Sequence, residues 1–380
     1  MTLKQGRLEA TAAGFSARAR LRAPLLGLLL LAAGLALQWA SARSPEIVER
    51  RFARGVYPVV AGGLGRVAAL VPISIAECAL VALGVWLAAG LGRLAFARDC
   101  RRRIGRAGAR ALLGAGALYA AFLLLWGLNY QRQPFATIAG LPVRPSGVDE
   151  LATLCGALVQ EANAAREGLP EDEAGAMRLA GGPREALART EAGFRAAAAR
   201  HPVLAGPAAR PKPLLASAAL SWLGITGIYS PFTAEPNVNL TLPDPALPFS
   251  AAHEVAHQRG FAREDEANYL GYLACRLHPD PDFRYSGRLA ASVYALNALA
   301  SRDRAAWERI EAARSPGVRR DLAALLAWAE RYRGPAERVS RRVNDAYLRS
   351  QGQDQGVTSY GRVVDLLLAE RRAAGEPAAE

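Results

Sequence analysis

Residues 253 to 257 read His-Glu-Val-Ala-His, and the run continues Gln-Arg-Gly-Phe-Ala-Arg-Glu-Asp-Glu-Ala-Asn to Asn268. On a helix, His253 and His257 stand about 6 Å apart along the axis and about 40° apart in rotation, so both imidazoles address one point. Two neutral imidazoles so placed can share a metal ion. Glu254 falls beside them, where a carboxylate can take a proton from a water that the metal acidifies. With four His and 34 acidic residues in 380, such a His-acid-x-x-His pattern arises by chance about 0.004 times. The bland alternative is a surface helix bearing two solvated His.

The elements that must position this trio follow from its flanks. Pro248-Phe249-Ser250 provides a helix stop and start, with Ser250 as N-cap. A catalytic zinc ion (Zn2+) takes three protein ligands and leaves one position for water. In an unbroken helix Glu264 would lie about 10 Å beyond His257, so the chain has to turn, and Gly260 is free to adopt the positive φ this needs. A second helix then starts near Arg263 and buries Ala267, Leu270, Ala274 and Leu277. Glu264, Asp265 and Glu266 are the candidate third ligands; without a metal they are an acidic first turn favoured by the helix dipole.

Glu264-Asp265-Glu266-Ala267-Asn268 resembles the E-x-x-A-(D/N) segment of gluzincin-type metallopeptidases. The resemblance implies that Glu264 binds zinc, with Asn268 supporting it one turn later and Glu266 as the fallback ligand. The short spacing after His257 is closer to the metzincin layout, but Arg263 stands at the metzincin ligand position and cannot bind a cation. Trp126-Gly127-Leu128-Asn129-Tyr130, Pro231-Phe232-Thr233, residues 253 to 268, Asn344-Asp345-Ala346-Tyr347-Leu348 and Gly356-Val357-Thr358-Ser359-Tyr360-Gly361 together resemble the bacterial membrane family catalogued as domain of unknown function 3810, zincin-like by its motif. That resemblance implies a class and an architecture without a substrate.

The composition is 51% hydrophobic with a net charge of +13. Lys4 and Lys212 are the only lysines and the arginines are dispersed, with no aromatic-interleaved basic strand, which argues against a nucleic-acid partner. Apolar runs at about 23–40, 75–91 and 111–128, the second broken only by Glu77 near its first turn, are long enough to cross a bilayer. Ala40-Ser41-Ala42 has the form of a signal-peptidase site, yet the length of the first run favours a retained anchor. Residues 43 to 71 have the spacing of an interfacial amphipathic helix. Twelve Lys/Arg before the first run and in the 92–110 loop, against five between the first two runs, put the N-terminus in the cytoplasm. The expectation is a multi-pass protein of the bacterial inner membrane, with residues 1–130 as membrane domain and 131–380 as an extracytoplasmic domain.

Fold class reads as mainly α: three N-terminal transmembrane helices, then an α+β zincin-like domain with a small sheet ahead of the motif helix. Ser146 to Arg166 forms an amphipathic helix, and four more follow at Tyr285 to Ser301, Arg304 to Ala313, Val318 to Tyr332 and Pro335 to Ser350. Asn237 to Leu242 alternates as a strand and is expected to be the edge that holds a substrate backbone, or else a plain hairpin. Tyr360, with Tyr285 competing, is a possible transition-state donor, though packing is the commoner role of such a Tyr. Phe261 and Tyr269 are expected to wall the site, and His201 and His278 to be ordinary surface residues. Cys155 and Cys275 either form a disulfide permitted outside the cytoplasm or are small buried apolar residues.

These readings converge on a membrane-anchored zinc metallopeptidase acting on a peptide or protein of the cell envelope, with the lipid bilayer as its other partner. The alternative is a non-catalytic envelope assembly or sensor protein whose metal is structural; a structural site, however, tends to have four ligands, commonly Cys, and no spare Glu. Intramembrane proteolysis is the third reading, opposed by the charges crowding the motif, from Arg259 to Glu266.

Overall fold

The computed structural model describes residues 3–95, 100–207, 210–353 and 362–375. Three helices, Leu3–Ala42, Ile75–Ala95 and Cys100–Leu125, contain the apolar stretches Arg22–Ala42, Ile75–Arg93 and Ile104–Leu125, each long enough to cross a membrane. The first and third pack side by side, and the Tyr119 hydroxyl donates to Gln38 Oε1 across them at 2.6 Å. The third stretch is displaced from the expected 111–128. It starts earlier, taking in Arg106 and Arg110, and stops at Leu125, because Trp126 leaves helical geometry and Gly127–Gln131 winds as a 3-10 turn. Much of the expected 92–110 loop is likewise helical, an extension of the two apolar helices.

Residues 43 to 71, expected as an interfacial helix, pack one face on the rest of the chain and leave Val56, Val59, Val67 and Leu70 exposed. They form a nine-residue π-helix, Val48–Val56, running into the helix Tyr57–Ala68. The buried side chains, Val48, Phe52, Tyr57 and Ala61, face protein: with Trp126, Leu128, Tyr130, Tyr229, Ala234 and Ala262 they make a second core between the apolar helices and the rest of the chain. Arg132, 1% exposed, crosses this core. Its Nε and Nη2 donate to Glu49 at 2.8 and 2.9 Å, its Nη1 donates to the Gly260 carbonyl, and its guanidinium lies over the Phe261 ring. Burial alone would raise the Glu49 carboxyl, but Arg132 and then Arg54 hold it below its usual range. A boundary at residue 130 therefore cuts through a shared core.

Beyond it the chain is helical around a small sheet. Val148–Arg166 buries Leu151, Leu154, Cys155 and Leu158 as its periodicity predicts. The helices Pro281–Ala300, Arg304–Glu311, Pro316–Arg331 and Pro335–Ser350 match the expected set, and Val363–Ala373 closes the main core. Cys155 and Cys275 are both buried free thiols, so of the two readings the small-apolar one holds and no bridge joins them.

Three strands, β1 (Lys212–Pro213), β2 (Gly227–Ser230) and β3 (Glu235–Val238), form one sheet in the order β1-β3-β2, β1 parallel and β2 antiparallel to β3. Asn237 to Leu242 is thus not the edge: its strand portion is central, and Asn239 turns away to bond Ser221 and Ile225. The edge toward the motif helix is β2.

The second apolar helix is fastened to this sheet at its first turn. Glu235 accepts from the Ile75 and Ala76 N–H groups at 3.1 and 2.9 Å, and Glu77 accepts from Leu215 and Ala216. Lys212 Nζ reaches Glu235 and the carbonyls of Ala68 and Ile73.

Candidate metal centre

The motif lies on the helix Leu247–Gln258, which begins three residues before Ser250; Pro248 occupies its first turn, and Ser250 is inside the helix rather than its cap. Gly260 makes the expected turn at φ +82°, and the next helix, Glu264–Arg276, starts where the sequence placed it. The turn is crowded as well as left-handed, since a Cβ on Gly260 would lie 2.9 Å from the Tyr57 ring.

The turn brings Glu264 back onto the two His. His253 Nε2 and His257 Nε2 are 3.1 Å apart, and Glu264 Oε2 is 3.3 and 3.6 Å from them. Among the described residues this is the cluster of His, Cys, Asp and Glu able to hold a metal. Zinc bonds of about 2.05 Å at a tetrahedral angle put two imidazole nitrogens about 3.3 Å apart, close to what is seen. The hydrogen bonds behind the rings fix their tautomers. His257 Nδ1 lies 2.8 Å from the Phe261 carbonyl, which can only accept, so that nitrogen carries the proton and Nε2 offers a lone pair. His253 Nδ1 lies 2.9 Å from Asn268 Oδ1, which also accepts from Tyr294. Asn268 therefore supports His253, where the resemblance had it supporting Glu264.

Electrostatics agree with a site built for a cation. Glu264 Oε2 is buried and makes no hydrogen bond. Although burial opposes each charge, Glu264 pushes His257 up to about 9, and the two His hold Glu264 far below the usual carboxylate range. Without a metal, a proton is drawn between these groups; a dication would take its place. The residues present fit a zinc ion.

The other acidic candidates point elsewhere. Glu266 Oε1 accepts from the Phe135 N–H at 2.7 Å and from Arg263 at 2.8 Å, which makes it a clamp on residues 130 to 135 and not a ligand. Asp265 faces Arg362 at 3.7 Å, and burial followed by Glu266 pushes it up to about 6. His278 is 2% exposed and stacked on Phe283, its Nε2 donating to the Arg189 carbonyl, while His201 packs on Phe135. Neither His belongs to the cluster.

Glu254 faces a cleft of about 890 Å³ that the cluster also lines. The Tyr229 N–H of β2 bonds its carboxylate, and burial, eased by the two His, raises its pKa. Gly227 makes this approach possible, because a Cβ there would stand 2.5 Å from Glu254 Oε1. Asn239 donates to the Thr226 carbonyl and Ile228 is paired with Asn237, so by the alternation of an antiparallel pair the main-chain groups of Gly227 and Tyr229 turn away from β3, toward Glu254.

Phe261 and Tyr269 do not wall the cleft; they pack with Phe135 in the core. Its aromatic lining is Phe122, Trp126, Tyr130, Tyr229, Phe232, Phe249, Tyr294 and Tyr347. Tyr285 is also excluded as a donor to substrate, its buried hydroxyl being given to Asp321, and Tyr360 lies outside the described residues. Four phenols line the cleft: Tyr229 and Tyr294 are bonded to Tyr57 and Asn268, and Tyr130 donates to the hydroxyl of Tyr347, whose pKa burial pushes up to about 12. Sequence reasoning quoted the segments holding Trp126 and Tyr347 without a role for either. Trp126 Nε1 donates to the His257 carbonyl at 3.3 Å, and the Tyr57 hydroxyl donates to the same carbonyl and to that of Gln258.

No curated protein and no solved structure matches this chain. One family model does, over residues 52–368, which takes in the second half of the π-helix, the second and third apolar helices, the sheet, the cluster and the start of the helix that ends the core. The chain belongs to the family described as "Protein of unknown function (DUF3810)".

Proposed function

We propose that the protein is a membrane-anchored, zinc-dependent metallopeptidase whose cleft faces the extracytoplasmic side of a bacterial inner membrane. The observation that carries the reading is the buried Glu254, which stands in a cleft beside a three-ligand cluster without belonging to it. A structural site would have no use for that carboxylate. The orientation follows the excess of Lys and Arg before the first apolar stretch and between the second and third, over those between the first and second.

Zinc held by His253, His257 and Glu264 would supply Lewis acidity to a water and to the scissile carbonyl. Glu254, kept on the basic side by burial, takes the proton as the water oxygen bonds to the carbonyl carbon, and returns it to the amine nitrogen as the C–N bond breaks. The outward main-chain groups of Gly227 hold an extended substrate backbone as an added strand. Tyr347, protonated at neutral pH, is the phenol at hand to donate to the carbonyl oxygen as it gains charge.

The test uses the full chain in lipid nanodiscs, with bound metal and hydrolysis of a mixed peptide pool measured on one preparation. About one zinc per chain is expected in the wild type and in Glu254→Gln, with hydrolysis in the wild type alone. Equal hydrolysis by both would overturn the mechanism, and a zinc-loaded wild type that cleaves nothing would favour the structural-metal reading.

A further inference from the structure

Among the described residues beyond 130, six of the eleven exposed large apolar side chains line the cleft or the groove beside it. Leu223, Ile228, Phe232 and Tyr347, each more than a third exposed, line it. Val339 and Val343, at 58% and 64%, line a neighbouring groove of about 720 Å³. The groove and the cleft share Leu223, Ser340, Asn344 and Tyr347, so together they make one continuous concave surface. An apolar surface of this kind on the wall of a site marks something apolar that occupies it.

The same surface runs onto the membrane helices. Phe122, on the third apolar stretch, is a wall of the cleft and packs edge-on against Tyr347 with ring centres 6.4 Å apart. The helix Pro335–Ser350, which carries Val339 and Val343, ends against the first apolar stretch, where Gln38 Nε2 donates to the Ser350 carbonyl. At the other end, Trp126, one residue past the third stretch, has its ring centre 5.9 Å from that of His257. The cluster thus lies within roughly three to six residues of extended chain, at about 3.3 Å each, from the end of an apolar helix.

We infer that the substrate is itself a membrane-anchored polypeptide, its span lying against the Phe122 face and its first residues outside the bilayer running along β2 to the cluster. This rests on the peptidase reading and names the class of substrate for it. A polypeptide fits better than a lipid because β2 presents the outward N–H and carbonyl of Gly227, which match an extended backbone and which an acyl chain cannot use. The anchor confines the substrate to the plane in which the cleft opens, so recognition is divided between the apolar groove and the strand edge. The bond cut lies within about three to six residues of the span.

The experiment compares two reporters in phosphatidylethanolamine/phosphatidylglycerol vesicles containing the full chain. One has a Leu/Ala-rich transmembrane segment followed by a randomised stretch, and the other is the same randomised peptide without the segment. The anchored reporter is expected to be cleaved at least about tenfold faster, with product ends within that short distance of the span by mass spectrometry, and to be retained by zinc-loaded Glu254→Gln in the same vesicles. Val339→Asp with Val343→Asp is expected to lower the anchored rate about tenfold while zinc content stays unchanged. Equal cleavage of both reporters, or product ends spread evenly along the stretch, overturns the inference and leaves the peptidase reading standing. A normal anchored rate in the double variant likewise overturns it. Cleavage of neither reporter by the zinc-loaded wild type overturns both.

Discussion

Trp126, the first residue beyond the third apolar helix, donates its indole N–H to the main-chain carbonyl of His257. The Tyr57 hydroxyl ends on the same oxygen, so the helix that carries the cluster is capped by side chains from segments flanking the apolar helices. Trp126→Phe is expected to cost about 1 kcal/mol, since the His257 carbonyl keeps Tyr57 and the Gly260 N–H, and Tyr57→Phe about 1–3 kcal/mol, since it also takes a partner from the Tyr229 hydroxyl and the Gln258 carbonyl. Zinc affinity, followed by competition with a chromogenic chelator, should weaken in both. Unchanged affinity would show that the cap does not position the cluster.

The Arg132–Glu49 pair is a second tie between such segments. Arg132→Met leaves the buried Glu49 with only the half-exposed Arg54, at an expected cost of about 3 kcal/mol, while Arg132→Met with Glu49→Leu should recover much of that. The pH dependence follows from Glu49, whose folded pKa is held below the ordinary 4.5. Its contribution is complete above about 4.5 and fades as pH falls through the lower folded value. Unfolding in mild detergent across this range should show the loss in the wild type and a smaller one in the double variant.

Gly227 is predicted to hold its place for Glu254. In Gly227→Ala the new methyl must push the carboxylate aside, lowering kcat about 10- to 100-fold with zinc stoichiometry unchanged. A drop confined to KM would mean that the strand edge is disturbed and the base is not.

The two Glu residues of the second helix should separate cleanly. Glu264→Gln should weaken zinc by more than the roughly 10- to 100-fold expected of Asn268→Ala, which only frees the His253 ring. Glu266→Gln should leave zinc affinity alone and reduce stability, because Glu266 serves Phe135 and Arg263. A large loss of zinc in Glu266→Gln would reverse the assignment.

Burial pushes the Cys155 thiol up to about 12 and raises Cys275 as well, which makes both poor nucleophiles in the folded chain. Both should react with an impermeant maleimide only after unfolding, with no reductant needed. A requirement for reductant would restore the bridge between them.

What could be read in advance divides by the range of the contacts involved. The two His, Glu254, the Gly260 turn and the return of Glu264 were legible because helix period and the one glycine constrain them locally. The apolar helices were legible because a bilayer demands length and lack of charge. The role of residues 48 to 57 was not, since an amphipathic stripe looks the same whether lipid or protein covers it; only the partners Trp126, Tyr130 and Tyr229 decide. Strand order was equally hidden: Asn237 to Leu242 alternates well enough for an edge, and β1, two residues long, gives hardly any signal of the pairing that buries the observed strand. Glu266 and Glu264 differ by little in sequence. The contacts that separate them, from Phe135 and Arg263 to one and from the His pair to the other, form only when the chain is folded.

Lys212 shows where the composition of this chain meets a geometric limit. Lysine supplies only two of its 47 basic residues, and one of them is buried here, reaching the Ala68 and Ile73 carbonyls and Glu235 at once. Those three acceptors surround a single point. An ammonium can serve them with three diverging N–H bonds, whereas a guanidinium spreads its donors in a plane and is longer. Lys212→Arg, harmless at most surface sites, would force apart the sheet and the start of the second apolar helix, which share this one nitrogen as their joint.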